Sequence, residues 1–317
     1  MLEFGIGAFN TIVSILPPRF VRVASFFGFP SSRSQGLQLL RKAFERDGAA
    51  SPLAGCLLLT HHTMLQTSYL YGTTRFRGEA MDLAVLSQRL FPGSGWFLLL
   101  TGRLAKLMRD QERATELFEQ SMHAQAEWKP LRDMCLYELG AVHLSAYRFE
   151  ESLQAWHTLR EENDWSVTYY TFMSGVCELQ MGRHDDALRS FRRVKNGKSL
   201  EIQGKKLPVD LWSRRKVARY LNGDTVDMPL IHLEMLLLLA AFHMMPAELL
   251  QRGLDEVQHV LAARGNEKET DIVAVGKLLE GALLIQLGRA GEAEAALQAV
   301  RLPKRAAWEE KGGLSER

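Results

Sequence analysis

The amino-acid sequence predicts an all-α protein, a superhelical solenoid of helical hairpins, and three observations support this prediction. A small residue, a second small residue 12 positions later and a bulky residue four positions beyond that recur along the chain. The segments that this pattern pairs are joined by short polar turns. Apolar residues elsewhere recur at helical spacing. We therefore expect a helix content well above the ~30–35% average, with no sheet.

The repeated pattern has four clear copies and is typical of tetratricopeptide repeats. The copies are Gly102, Ala114 and Phe118; Gly140, Ser152 and Trp156; Gly175, Ala187 and Phe191; and Gly281, Ala293 and Leu297. Two antiparallel helices cross closely where both have small side chains, and the bulky residue is expected to fill the groove against the next hairpin. Because repeats of this kind form interaction surfaces, the pattern favours binding over catalysis.

The first two regions follow from proline positions and from the repeat. Residues 1–47 are predicted to form opening helices with a break at Pro17-Pro18, because proline ends a helix. Residues 48–195 contain the tetratricopeptide-like repeats, of which the first is a weaker hairpin with helices at Met64–Tyr71 and Gly78–Leu90. A glycine in the tight turn of a later repeat, Gly182, permits a left-handed cap on the first helix.

The repeat period breaks after residue 195. Residues 196–227 are predicted to be a basic insert with turn signals at both ends and one helical stretch, Val209–Tyr220. Residues 228–302 are predicted to form C-terminal helical hairpins that include a final repeat. Residues 303–317 have no helical apolar stripe and are predicted to be a disordered tail.

Composition and charge indicate a protein of the cytoplasm. The 317 residues have a formal net charge of +2, which predicts no general attraction to nucleic acid. The three cysteines lie inside apolar helical stretches, as small buried side chains do in a reducing compartment. The N-terminus does not resemble a secretory signal. The longest apolar stretches are shorter than a bilayer-spanning helix requires.

The sequence contains no arrangement of residues that predicts an active site. It has no Cys-x-x-Cys pair, no Gly-x-Ser-x-Gly and no His-Glu-x-x-His. Asn196-Gly197-Lys198-Ser199 lacks the first glycine of a phosphate loop. His61 and His62 are adjacent, so that on a helix they point about 100° apart and do not easily share a metal. We therefore predict no catalytic residues, no metal and no cofactor.

The inner face of the repeats is the predicted binding surface. Its aromatic, apolar and basic members are Trp96, Arg103, Lys106, Met134, Tyr137, Tyr169 and Phe172. Lysine and asparagine do not stand at the positions that clamp a peptide carboxylate in chaperone-binding repeats. The predicted partner is therefore a protein with a helical or apolar segment. The alternative is that a helix of the protein itself fills the groove, such as residues 1–30 or an absent amino-terminal region.

The basic insert is the second candidate site. Residues 192–219 contain ten basic and two acidic residues, a local balance of +8. The residues selected as a site are Arg192, Arg193, Lys195, Lys198, Arg214, Arg215, Lys216 and Arg219. One interpretation is a surface for an acidic partner, an anionic membrane or a lipid droplet, since polybasic segments are attracted to anionic surfaces. The other is a solvated segment whose bases pair with acids on adjacent helices.

Two segments resemble the tetratricopeptide repeat protein 39 family. The first has a Gly-x-Gly-x-Phe-Asn helix, a Leu-Pro-Pro break and a Phe-x-Gly-Phe, and the second has an Arg-Lys-x-x-Arg-Tyr helix. The matching residues of the first segment are Gly5, Gly7, Phe9, Asn10, Leu16, Pro17, Pro18, Phe27, Gly28, Phe29, Gly36 and Leu37. Those of the second segment are Arg215, Lys216, Arg219 and Tyr220.

The resemblance covers nearly the whole chain and implies a non-catalytic scaffold. Family members are linked to inclusion-body clearance with lipid droplets, to lipid homeostasis and to cilia. The resemblance thus implies a cytoplasmic protein that associates peripherally with lipid droplets or the outer mitochondrial membrane. Relative to the family, the chain lacks an amino-terminal helical region, and its tail is unrelated to the usual closing helical segment. It therefore resembles a short or partial member.

Overall fold

A computed structural model describes residues 1–16, 20–22, 26, 32–46, 48–65, 77–163, 165–196, 201–202, 205–222, 225–264 and 271–300. The chain divides into two compact units, Met1–Cys135 and Leu136–Arg317. Helices dominate the described residues of both units, which confirms the predicted all-α class. Among those residues, no helix is both long and apolar enough to cross a bilayer.

The described residues of unit 1 form six helices and the first part of a seventh. They are α1 (Leu2–Val13), α2 (Arg33–Glu45), α3 (Ser51–Thr60, continued by a π-helical turn at His61–Leu65), α4 (Arg77–Leu90), α5 (Gly95–Leu107), α6 (Gln111–Ala124) and α7 (Lys129–Ser145). Helix α4 matches the second helix of the predicted weak hairpin. Most of its predicted first helix, Met64–Tyr71, lies outside the described residues.

The crossing of α1 and α2 explains three residues of the family-like segment. A Cβ atom on Gly36 would lie 2.6 Å from the Thr11 hydroxyl, and one on Gly7 would lie 3.0 Å from the Gly36 carbonyl oxygen. Only residues without a side chain allow the two backbones to approach this closely. Asn10 accepts a hydrogen bond from the Ser32 N–H at 2.9 Å, just before α2 begins. The motif therefore holds the opening helix against its neighbour.

Unit 2 contains the rest of the repeats and the insert. Its elements after α7 are α8 (Phe149–Glu162), α9 (Val167–Gln180), α10 (His184–Asn196), β1 (Glu201–Ile202), β2 (Lys205–Lys206), α11 (Pro208–Tyr220), β3 (Leu221–Asn222), β4 (Thr225–Val226), α12 (Ile231–Leu238), a 3-10 turn (Phe242–Met244), α13 (Ala247–Ala263), α14 (Asp271–Gln286) and α15 (Ala290–Gln298). The insert contains helix α11, and α12 to α15 follow it in the chain. The predicted tail, 303–317, lies outside the described residues.

Two short ribbons contradict the expectation of no sheet. Strand β1 pairs antiparallel with β2, and β3 pairs antiparallel with β4, with two residues in each strand. Asn196-Gly197 precedes β1 by a few residues and Asn222 ends β3, and Asn-Gly pairs favour tight turns. The sequence predicts turns here and no strands, because strands of two residues contain no alternating pattern.

The small and bulky residues of the repeat pattern meet within each hairpin. Each leading glycine touches the bulky residue of the following helix. A Cβ atom would lie 2.6 Å from Phe118 on Gly102, 2.5 Å from Trp156 on Gly140, 2.8 Å from Phe191 on Gly175 and 2.5 Å from Leu297 on Gly281. The second small residue is also buried, and Ser152 donates a hydrogen bond to the Gly140 carbonyl at 2.8 Å. The bulky residue therefore packs on its own hairpin's glycine, a contact that the sequence-based description of this residue did not include.

The turns of the four hairpins share one geometry. The second residue after the first helix has a positive φ: 65° at Arg109, 59° at Tyr147, 72° at Gly182 and 75° at Gly288. The next N–H then bonds a carbonyl five residues back, as from Asp110 to Ala105 and from Arg148 to His143. This arrangement closes the last helical turn. Only two of the four positions are glycine, so the turn geometry does not depend on glycine alone.

Candidate functional site

In unit 1 the predicted inner-face residues of α5 form a partly accessible stripe. Trp96, Arg103 and Lys106 are each half-buried and recur at spacings of seven and three, so they lie on one side of the helix. Leu99, on the same side, is fully buried. Met134, on α7, is also half-buried. This part of the predicted surface combines aromatic, apolar and basic groups that solvent reaches.

A second tryptophan, Trp128, joins Trp96 in unit 1. The two ring centroids are 5.4 Å apart and the ring planes are inclined by 58°. Trp128 is 42% exposed. A cavity of about 400 Å³ is lined by Trp96, Ala124, Gln125, Ala126, Glu127 and Trp128. We call it the tryptophan cleft. The sequence did not indicate Trp128, because this residue lies between two helices and outside the repeat positions that face a groove.

In unit 2 the predicted aromatic residues are largely enclosed. Tyr169 is 3% exposed and Phe172 is 0% exposed, while Tyr137 is half-buried. Tyr137 packs edge-on against Trp156 at 5.4 Å and lies 6.3 Å from Tyr169 between centroids. Burial raises the pKa of both the Tyr137 and Tyr169 phenols above their usual value. These rings are therefore neutral core groups at physiological pH.

The insert helix α11 covers this face of α9. Trp212 packs edge-on against Phe172, with ring centroids 5.6 Å apart. Ser166, at the start of α9, donates a hydrogen bond to the Asp210 carboxylate at 2.6 Å. Val217 is fully buried. The alternative in which the protein's own helix fills the groove thus describes this part of unit 2. That helix is α11, whereas the sequence suggested residues 1–30.

The opening helix packs elsewhere. Helix α1 lies against α2 and α3 of unit 1. Tyr169 and Phe172 are buried, and their role in partner binding stays a prediction. The predicted groove residues that retain exposed area are Trp96, Arg103, Lys106, Met134 and Tyr137.

Some bases of the basic insert form ion pairs with other helices, and several have exposed side chains. The Lys216 ammonium lies 2.7 Å from both carboxylate oxygens of Glu234, in a nearly buried ion pair. Arg219 pairs with Asp271, and Arg214 donates to the Lys195 carbonyl at 3.3 Å. The side chains of Arg192, Arg193, Lys195 and Arg215 are exposed. Lys198 lies outside the described residues.

The Lys216–Glu234 pair shows that acids from other helices neutralise part of the insert's positive charge. Burial raises the pKa of Glu234, and Lys216 opposes that shift. The acids of these two ion pairs, Glu234 and Asp271, come from helices outside the insert. The local balance of +8 does not include them, because a charge count along one segment omits acids that folding brings near it from elsewhere in the chain.

The structure adds two facts about chemistry. Among the described residues, His, Cys, Asp and Glu side chains form no group of three that would hold a metal ion. His232 is buried, and its Nε2 lies 3.0 Å from the Glu256 carboxylate. Its ring packs edge-on against Tyr147 and Phe149. This histidine therefore packs α12 against the turn between α7 and α8, and its Nε2 faces Glu256 on α13.

Comparison with solved structures gives a distant match. One chain of a structure described as Naa15/Naa10 bound to HypK-THB aligns with 98% of this chain, at 12% sequence identity and a TM-score of 0.38. This chain spans only 37% of that chain's length.

Comparison with family models gives a match over most of the sequence. The model for Iml2/Tetratricopeptide repeat protein 39 matches residues 2–287. This range includes the opening helix with its Gly7, Asn10 and Gly36 contacts, all four repeat hairpins except the last helix, and the insert helix with Lys216. The chain therefore belongs to the Iml2/tetratricopeptide repeat protein 39 family.

Proposed function

We propose that this protein is a non-catalytic scaffold that binds other proteins through its helical repeats. The observation that carries the proposal is the repeat hairpin of α5 and α6. Its glycine–aromatic contact between Gly102 and Phe118 fixes the helix pair, and its first helix presents the half-buried Trp96, Arg103 and Lys106 on one side. Repeats of this kind use that side to bind helical or apolar segments. Membership of a tetratricopeptide repeat family supports the same function.

The scaffold proposal predicts that reversing one charge on this side weakens partner binding. Tagged wild-type protein and an Arg103→Glu variant are purified from cells, and the retained proteins are quantified. We expect the amount of each specific partner that is retained to fall at least about tenfold with Arg103→Glu, because a reversed charge repels the partner group that the arginine faces.

The cellular process proposed by family resemblance is lipid homeostasis, inclusion-body clearance or a cilium-related process, in the cytoplasm.

A matched control separates this surface from a general charge effect. Arg113 lies on α6, is exposed and pairs with Glu116 three residues on. Arg113→Glu makes the same charge change outside the proposed surface and should retain every partner. Both variants should keep the wild-type circular dichroism spectrum and melting temperature. Equal retention of all partners by both variants would contradict the proposed surface.

A second candidate function is a peripheral adaptor at a lipid-droplet or membrane surface, including that of the outer mitochondrial membrane. One observation favours it. Helix α1 exposes four apolar side chains, at 77% for Leu2, 44% for Ile6, 42% for Phe9 and 52% for Ile12. Its only charged residue is Glu3. The exposed insert bases would add attraction to anionic lipid.

Flotation with lipid vesicles tests the adaptor function. Wild-type protein should float with vesicles that contain anionic phospholipid, and Ile6→Asp/Phe9→Asp should not, because a charge on the apolar face resists burial in lipid. Leu53→Asp is the control, since Leu53 is 55% exposed and belongs to another helix, α3. If wild type and both variants float to the same small extent, the adaptor function is rejected. A loss in high salt alone would assign binding to the insert bases.

A further inference from the structure

The tryptophan cleft of unit 1 combines features that attract a positive charge. Trp96 and Trp128 line the same cavity with rings inclined by 58° and centroids 5.4 Å apart. The faces of indole rings have negative electrostatic potential and bind ammonium and guanidinium groups. Trp128 is 42% exposed, so a ligand reaches its ring without displacing the core.

The other residues that line the cleft also favour a positive charge. Glu127 supplies a carboxylate, and Gln125 supplies a neutral amide. Ala124 is the last residue of α6, and the C-terminal end of a helix has a partial negative charge. None of the six described residues that line the cavity is basic. The cleft is therefore complementary to a cation rather than to an anion.

Size and charge decide between a cationic and a purely apolar occupant. The cavity of about 400 Å³ accommodates one long side chain. An apolar side chain would gain no interaction from Glu127, the acidic residue of the lining, which is exposed. An arginine or lysine instead places its stem and charged group over the indoles and pairs with the carboxylate.

We propose that the tryptophan cleft binds the cationic side chain of an arginine or lysine from a partner protein. The proposal rests on the scaffold function and names the chemistry that one of its sites recognises. The ring faces of Trp96 and Trp128 contact the side chain, and the Glu127 carboxylate pairs with its positive charge. The cleft then fixes the position of a partner segment whose remaining contacts lie along α5.

Fluorine NMR of the full chain labelled with 5-fluorotryptophan tests the proposal. The resonances of the two cleft residues are assigned from their loss in Trp96→Phe and Trp128→Phe. The probes are N-acetyl-arginine amide and N-acetyl-citrulline amide, which have nearly the same shape and differ in charge. We expect the arginine probe to shift both resonances at millimolar concentration, and the citrulline probe to bind at least fivefold more weakly. Glu127→Gln should reduce the preference for arginine at least threefold.

The same spectra contain an internal control, the resonance of a tryptophan outside the cleft. Trp165 is 65% exposed in unit 2 and lies outside the cleft. Its resonance should not move with either probe, and Trp165→Phe should leave the titration unchanged. Equal binding of arginine and citrulline, or no shift of the two cleft resonances, would overturn the proposal. Such a result combined with partner loss in Arg103→Glu would leave the scaffold function standing, whereas retention of every partner by Arg103→Glu would contradict the proposed α5 surface separately.

Discussion

Replacing Gly140 by leucine is expected to destabilise unit 2 by about 3 kcal/mol, because the first atom added already meets a fully buried ring. A Cβ atom at this position would lie 2.5 Å from Trp156, which is 0% exposed and stacks near Tyr170. The helix pair α7–α8 must separate or the indole must move. Thermal unfolding followed by circular dichroism should show a melting temperature lower by roughly 6–12 °C.

Smaller substitutions make this prediction specific. Gly140→Ala adds only the Cβ atom and should still destabilise, although alanine favours helices more than glycine. Gly291→Ala is the matched control in α15, since a Cβ there meets nothing within 4 Å. This control should be neutral or slightly stabilising. An unchanged melting temperature for both Gly140 variants would show that the α7–α8 crossing is not as tight as described.

Replacing Lys216 by methionine is expected to cost about 3–5 kcal/mol at neutral pH, because it leaves the Glu234 carboxylate buried without its partner. The side chains of Lys216 and Glu234 are only 11% and 14% exposed, so solvent screens the pair weakly. Methionine retains the length of the lysine stem and removes its charge. Urea unfolding at pH 7 measures the loss of free energy.

The pH dependence distinguishes a buried charge from lost packing. Burial raises the pKa of Glu234 and Lys216 lowers it, so removal of Lys216 raises that pKa further. A carboxyl group with a raised pKa in the folded state is destabilising above that pKa and loses this effect as the pH falls, since both states then bind the proton. The deficit of Lys216→Met should therefore shrink in acid. The double variant Lys216→Met/Glu234→Leu should recover most of the stability at pH 7, and a deficit equal at all pH values would contradict this account.

The repeat architecture was predictable because its determinants are local in sequence. Two consecutive helices contain Gly140, Ser152 and Trp156, and the spacing of these residues indicates which side chains must be small where the helices touch. The left-handed turn residues were predictable only in part. Gly182 indicated its own conformation, whereas Arg109 and Tyr147 have the same positive φ without a glycine signal.

The interaction surface was less predictable because it depends on contacts distant in sequence. Phe172 has the spacing of a groove residue, and only folding brings Trp212, 40 residues further on, against its ring. Trp128 has no repeat position at all, and its pairing with Trp96 arises from the way α6 returns towards the start of α5. Periodicity identifies the side of a helix that faces inward. It does not specify which other segment lies on that side.

The insert helix also has a consequence for competition. Because α11 belongs to the same chain as the face of α9 that it covers, it competes with any external ligand at an effective concentration that for short tethers is of millimolar order. A free helix with equal intrinsic affinity would need about that concentration to displace it from half of the molecules. Another helix would reach Phe172 only if it bound far more tightly than α11 does, or under conditions that weaken the ion pairs of Lys216 and Arg219. The covalent link between α9 and α11 thus sets the minimum affinity that a competing helix would need.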